Sequence, residues 1–206
     1  VIPNSVNIEA VREKAREPLE HPWLHDSVPI LIAVGRLVEQ KGYHHLLSAI
    51  HHLTHRLSVR LWVLGKGPLK SRLEKQAKDL GLGDSVQFLG FQSNPFKYMV
   101  ASDVFVLSSL WEGLPSVLVE AMGVGLPVVA TRAPYGPEDV IIDGVNGYLV
   151  PTADPKAMAS AIEHLLCCTE DRSRIQEAGR LWVEERFSSS HMSRQFEELF
   201  VEILRS

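Results

Sequence analysis

Cysteine is almost absent from this chain. Its 206 residues hold two, Cys167 and Cys168, and they are neighbours. Adjacent cysteines cannot staple distant segments, so a disulfide framework is excluded and a reducing, cytoplasmic setting is the default expectation. The pair falls near a helix end and reads as inert rather than redox-active. No apolar run approaches the roughly 18 residues that a spanning helix needs. There is no surplus of positive charge either: 21 Lys and Arg stand against 25 Asp and Glu, for a net charge of −4. That balance argues against a nucleic-acid partner, which needs clustered cations. Two phosphate-loop signatures are also missing. Nothing fits G-x-x-x-x-G-K-[ST], and the nearest approach to G-x-G-x-x-G, "GKGPLK", carries Lys70 where the third glycine belongs.

What the chain does contain is an alternation of short apolar runs with longer helical patterns. "PILIAVG" (29–35), "VRLWVLG" (59–65), "SVQFLG" (85–90), "DVFVLSS" (103–109), "LPVVAT" (126–131) and "GYLVP" (147–151) read as strands. Continuous rather than alternating apolar runs suit a parallel sheet covered on both faces. Helices are expected over 42–57, over 68–81 with Pro68 at the first position, over 95–102, over 116–124, and from Pro155 behind an Asp154 cap. This order predicts an α/β fold, a Rossmann-like doubly wound parallel sheet with a helical C-terminal tail, built as one domain over 1–206. The opening "VIPNSVN" has no initiator Met and reads as a piece cut from a longer protein.

Ligands of such sheets bind at the carboxyl ends of the strands. Two strands end in Gly35 and Gly65, where a missing side chain lets the backbone approach a ligand. "GRLVEQKG" (35–42) adds Arg36 and Lys41 just after the first of them. Either cation alone is as readily a solvated loop residue. Their common place at a strand end points to a diphosphate, with Arg supplying a fork and Lys a point charge.

"SLWEGLPSVLVEAMGVGLPVVAT" (109–131) carries Glu112 and Glu120 in otherwise apolar surroundings. Pro115 can start a helix, which puts Glu112 in the preceding loop and Glu120 about one turn inside. The amides of Gly113, Leu114, Ser116 and Val117 then form a partly positive helix entrance. Glu112 alone could simply be a favourable acid at that entrance. Glu120, between Val119 and Ala121, fits an exposed face poorly. A metal pair is disfavoured, since no His or third carboxylate lies near. A glycosidase-like acid pair stays open on spacing alone. The best fit is a clamp for ligand hydroxyls beside a diphosphate, a description that suits a nucleotide sugar.

With "VIPNSVN", "AVGRLVEQKG", "VLGKGP", "VQFLGF", the Glu-x7-Glu segment and "IIDGVNGYLVP" in this order, the chain resembles the C-terminal, donor-binding half of retaining GT-B glycosyltransferases, specifically glycosyltransferase family 4. The resemblance implies that Arg36 and Lys41 hold the donor diphosphate, that Glu112 and the following amides bind the transferred hexose-type sugar, and that Glu120 accepts from the ribose. It places the base near Phe91, mostly against backbone, and favours UDP over GDP or ADP. No cofactor or metal is implied, because protein cations and helix dipoles take that electrostatic role. It implies retention at the anomeric carbon by a front-face route, and a role in polysaccharide or glycan synthesis. The acceptor (a glycan, lipid or small molecule) would belong to an N-terminal domain absent from this chain, so the chain should bind donor without turnover. The full-length enzyme could associate peripherally with a membrane. A GT-B epimerase, a phosphorylase and a degenerate nucleotide-sugar-binding domain are the rival readings. Two departures from the family pattern stand out. "APYGPEDVI" has one glycine, Gly136, flanked by Tyr135 and Pro137, where relatives often carry two, and Asn7 replaces a frequent Asp.

Three features stand outside this reading. His44, His45, His51, His52 and His55 crowd one helix, and His51 and His55 have the i, i+4 spacing of a metal pair; but Leu46, Leu47, Ile50 and Leu53 claim its apolar face and leave the histidines mostly on the polar one, so a physiological metal site is disfavoured. Trp62 belongs to a core strand, while Trp111 borders the expected cleft and is read equally as packing or sugar contact. "HMSRQFEELFVEILR" (191–205) is an amphipathic helix of the kind that crosses back to the N-terminal domain in GT-B enzymes, so part of its apolar face should be exposed.

Overall fold

The computed structural model describes residues 5–205, so the first four residues of the "VIPNSVN" motif lie outside it. Its sheet is built from β1 (Ile30–Val34), β2 (Arg60–Leu64), β3 (Val86–Gly90), β4 (Val104–Leu107), β5 (Val128–Thr131) and β6 (Tyr148–Val150). Each falls inside one of the apolar runs. The strands are parallel throughout and lie in the order β3-β2-β1-β4-β5-β6. The direction of winding therefore reverses between β1 and β4, the kind of switch point at which doubly wound sheets bind ligands.

Period-two alternation divides each strand between two cores. Leu31, Ala33, Leu61, Val63, Val104 and Val106 pack on one face beneath α2 (Tyr43–Thr54), α3 (Lys70–Asp79) and α7 (Pro155–Cys167). Ile30, Ile32, Trp62, Leu64, Phe105 and Leu107 pack on the other, beneath α1 (Ile8–Ala15), α4 (Phe96–Val100) and α5 (Ser116–Gly123). A sheet buried on both faces has no use for polar alternation, which is why its strands read as unbroken apolar runs. On α2, Leu46, Leu47, Ile50 and Leu53 are the buried face, as expected. Beyond them come the short α6 (Pro137–Val140), then α8 (Thr169–Arg186) and α9 (Ser189–Arg205).

Four helix starts follow or break the local rules for a first turn. Asp154 caps α7 by accepting from the amides of Lys156 and Ala157 at 3.1 and 3.0 Å, as its position predicted. Pro68 does not open α3: it sits in a turn with Leu69, whose amide donates to the Leu37 carbonyl at 3.1 Å, and the helix starts at Lys70. Pro115 likewise stands one position ahead of α5, with ψ of 88°, leaving Ser116 as the first helical residue. Helix α1 was absent from the sequence reading; Asn7 caps it by accepting from the Ala10 amide at 2.9 Å, so the exchange of Asp for Asn keeps the capping oxygen. On α9, Phe196, Leu199, Phe200, Ile203 and Leu204 are exposed, the open apolar face that the pattern predicted. Among the described residues, no helix is long and apolar enough to cross a membrane.

Candidate functional site

The loops that leave β1 and β4 are stitched together across the switch point. Gly42 adopts φ +57°, and a Cβ there would lie 2.1 Å from the Ser108 carbonyl oxygen, so only glycine admits this approach. The Ser108 hydroxyl donates to the Lys41 carbonyl at 2.7 Å, and the Leu110 amide donates to the Gln40 carbonyl at 2.7 Å. The Gln40 side-chain amide completes the seam by donating to the Trp111 carbonyl at 3.0 Å. Three hydrogen bonds and one glycine thus hold the two loops in register.

Lys41 and Glu112 meet on that seam. The Lys41 ammonium donates to Glu112 Oε1. The same oxygen accepts from the Ser109 hydroxyl at 2.5 Å, and the Ser109 carbonyl in turn accepts from Thr131 Oγ1 at 2.5 Å. Glu112 is only 8% exposed, while Ser109 and Thr131 are fully buried. The carboxylate is therefore an internal charge, tolerable because it is paired and hydrogen-bonded. Tyr43, buried beneath the loop, has its phenol pushed above the ordinary range, first by burial and then by the nearby Glu112 charge.

A third loop closes on the other side. The Glu112 amide donates to the Pro134 carbonyl at 3.2 Å. Gly136 packs so tightly that a Cβ there would stand 1.7 Å from the Gly113 carbonyl oxygen. Tyr135 between them is exposed and holds φ +63°, a left-handed conformation uncommon for a bulky residue. The single glycine of "APYGP" is therefore the one whose missing side chain the packing requires.

The helix entrance is open. The amides of Gly113, Leu114, Ser116 and Val117 have no hydrogen-bond partner among the described residues. Glu120, half-buried on α5, has no side-chain partner there either, and burial pushes its carboxyl above the usual range. Arg36 is exposed and makes no ion pair within the described residues. Phe91, 67% exposed, follows β3 at the far edge of the sheet, with the Lys66 ammonium 5.9 Å from its ring centre. Gly35 and Gly65 stand at the carboxyl ends of β1 and β2. Their amides are spent on sheet bonds to Leu64 and Gly90 at 2.9 and 2.7 Å, and a Cβ on Gly65 would lie 1.9 Å from the Gly35 carbonyl oxygen. No cluster of three His, Cys, Asp or Glu suited to a metal occurs among the described residues.

Of the residues expected at the site, Lys41, Glu112 and the helix-entrance amides come together, Glu120 follows within α5, and Arg36 and Phe91 line the same strand-end edge without touching the pair. Ser109, Gln40, Ser108, Tyr43 and Thr131 were not anticipated. Ser109 carried a faint signal, being a hydroxyl at a strand end three positions before the loop acid. Thr131 carried none, since its partner lies across the neighbouring strand.

The family described as Glycosyl transferases group 1 matches residues 15–182. The chain belongs to this family. It is 39% identical over 160 residues to the lipopolysaccharide core biosynthesis glycosyltransferase LpsE of Rhizobium meliloti (strain 1021), an overlap covering 78% of this chain and 46% of that protein. It spans about half the length of the curated relatives that it matches. Among solved structures, Anabaena HepE in complex with UDP superposes with a TM-score of 0.86 at 25% identity, over 98% of this chain and 57% of that one. The C-terminal domain of LpcC, a glycosyl transferase group 1 family protein from Francisella tularensis, gives 0.75 at 26% identity, over 89% of this chain and 99% of that one. The fold is therefore that of the C-terminal half of GT-B glycosyltransferases, as expected.

Proposed function

We propose that residues 1–206 are the donor-binding domain of a retaining glycosyltransferase of the family-4 type, which moves a hexose-type sugar from a nucleotide sugar, UDP favoured, to an acceptor hydroxyl. The observation that carries this reading is the meeting of Lys41 and Glu112 across the β1/β4 switch point, beside four unclaimed amides and an unpartnered Glu120. The structure of HepE with UDP supports the base assignment, since the two folds superpose over nearly this whole chain.

In this scheme Arg36 and Lys41 neutralise the diphosphate as the bond to the sugar breaks, and the helix-entrance amides add directed positive charge, so that no metal is required. Glu112 positions the sugar through its hydroxyls and forms no covalent bond. Glu120 accepts from the ribose hydroxyls, which supply the partner that it lacks. A leaving-phosphate oxygen takes the acceptor proton on the same face from which the nucleotide departs, which retains the anomeric configuration. The acceptor is held by an N-terminal domain packed against α9.

Calorimetric titration of this domain with UDP, GDP and ADP tests the reading. UDP should bind with a Kd in the micromolar range and ahead of the other two; no binding by any of them at millimolar concentration would overturn the donor site. Anomeric analysis of product made by the full-length enzyme then checks retention.

A further inference from the structure

We propose that His51 and His55 form an open, two-imidazole site for a divalent first-row transition ion of the zinc type, separate from the donor site. The two residues lie one turn apart, at the C-terminal end of α2, with His55 as its closing residue. Their Nε2 atoms stand 3.3 Å apart. Zinc–imidazole bonds of about 2.0–2.1 Å at a tetrahedral angle place two ligand nitrogens about 3.3–3.4 Å apart. The nitrogens are thus already spaced as one edge of such a tetrahedron.

The proton positions favour the same use. His51 Nδ1 lies 3.0 Å from the Leu80 carbonyl oxygen. A carbonyl only accepts, so Nδ1 carries the proton of a neutral ring and Nε2 keeps its lone pair outward. A backbone carbonyl holding the distal ring nitrogen is the usual support for a metal-bound histidine. Leu80 can give it because it ends α3, where carbonyls lack helical partners. Without a metal, His55 donates its Nε2 proton to His51. On binding, that proton moves to His55 Nδ1, both Nε2 lone pairs bond the ion, and water fills the remaining positions. A cation there also meets the negative end of the α2 dipole.

The two sites are well separated. The donor residues lie beyond the N-terminal end of α2, and twelve helical residues span about 18 Å. The neighbouring pair His44 and His45 packs ring against ring, with centroids 3.9 Å apart, and being adjacent on the helix it lacks the one-turn stagger.

Zinc titration of the untagged chain by calorimetry, with UDP titrated in the same preparation, tests the proposal. One equivalent of Zn2+ should bind with a Kd in the micromolar range. His55→Gln, at an exposed position that leaves the fold intact, should weaken it at least tenfold, His51→Gln likewise, and His52→Gln hardly at all. Saturable binding that survives His55→Gln, or none at 1 mM Zn2+, would overturn the site. UDP affinity should stay the same in every variant, so a failed donor reading and a failed metal site give different records.

Discussion

Replacing Lys41 by Met keeps the apolar stem and removes the ammonium, leaving Glu112 in place without its ion. The side chains of Lys41 and Glu112 are 17% and 6% exposed, so this is a largely interior pair. Removing one partner of a buried pair costs about 3–5 kcal/mol, because the other charge is left uncompensated. The Ser109 hydroxyl remains on the carboxylate and Lys41 keeps some water contact, which puts the loss near the lower end, about 3 kcal/mol. In a domain of this size, that lowers Tm by about 6–12 °C. Adding Glu112→Gln removes the orphaned charge, so the double variant should recover about 2 kcal/mol relative to Lys41→Met with additive losses. Urea unfolding of the wild type, both single variants and the double variant closes the cycle. High salt should change the coupling little, as interior pairs are weakly screened. A loss below about 1 kcal/mol for Lys41→Met, or strict additivity in the cycle, would mean that Glu112 finds solvent and that the pair is incidental. The same variant should also lose the thermal stabilisation by UDP, which for wild type at a hundredfold excess over Kd is about 2.7 kcal/mol.

Glu120→Gln should act in the opposite sense on the empty domain. Burial raises the Glu120 carboxyl, so its ionisation costs stability as pH climbs above the ordinary carboxylate range; the variant should melt higher than wild type at pH 7, converge with it near pH 4, and bind UDP with less preference over 2′-deoxy-UDP. A unchanged Tm and an unchanged ribose preference would remove Glu120 from the site. Asp171 accepts from the Tyr148 phenol at 2.5 Å, and also from Arg174 and His164, and these bonds, the phenol's first, hold its carboxyl down to about 2. Its contribution is therefore present above pH 4 and lost as pH falls toward 2, so Asp171→Asn should destabilise at pH 7 by about 1–2 kcal/mol and flatten that part of the acid limb in pH-dependent melts.

The sheet was legible because its information is local. Six apolar runs, each ending in a glycine or polar turn, became six strands, and the helical spacing of Leu46, Leu47, Ile50 and Leu53 chose the buried face of α2. Helix starts were less legible. Pro68 satisfies the local rule for a first helical residue, yet the bond between the Leu69 amide and the Leu37 carbonyl holds that turn against the β1 loop, a contact no local pattern reports. At the site, sequence spacing located Glu112 and Glu120 but said nothing of what faces them. Gln40 acts through Trp111 across the switch point and Thr131 through Ser109 at the end of the neighbouring strand, and the strand order that makes these groups neighbours is a property of the whole sheet.

The chain's own hydrogen bonds balance the site unevenly, and the imbalance gives the proposed function a direction. One half is satisfied: the Lys41 charge is neutralised by Glu112, and that carboxylate is further held by Ser109. The other half is not, since four amides at and just before the start of α5 and the Glu120 carboxylate within it have no hydrogen-bond partner among the described residues. A diphosphate on the amides would draw Lys41 from its carboxylate partner, and the freed Glu112 oxygen would then face the sugar hydroxyls. On the proposed reading, a nucleoside diphosphate alone would break the pair and leave Ser109 as the donor to Glu112, whereas a nucleotide sugar would break it and supply the replacement. Discrimination between donor and spent nucleotide can thus arise from the pair itself, because an interior carboxylate must exchange one hydrogen-bonding partner for another.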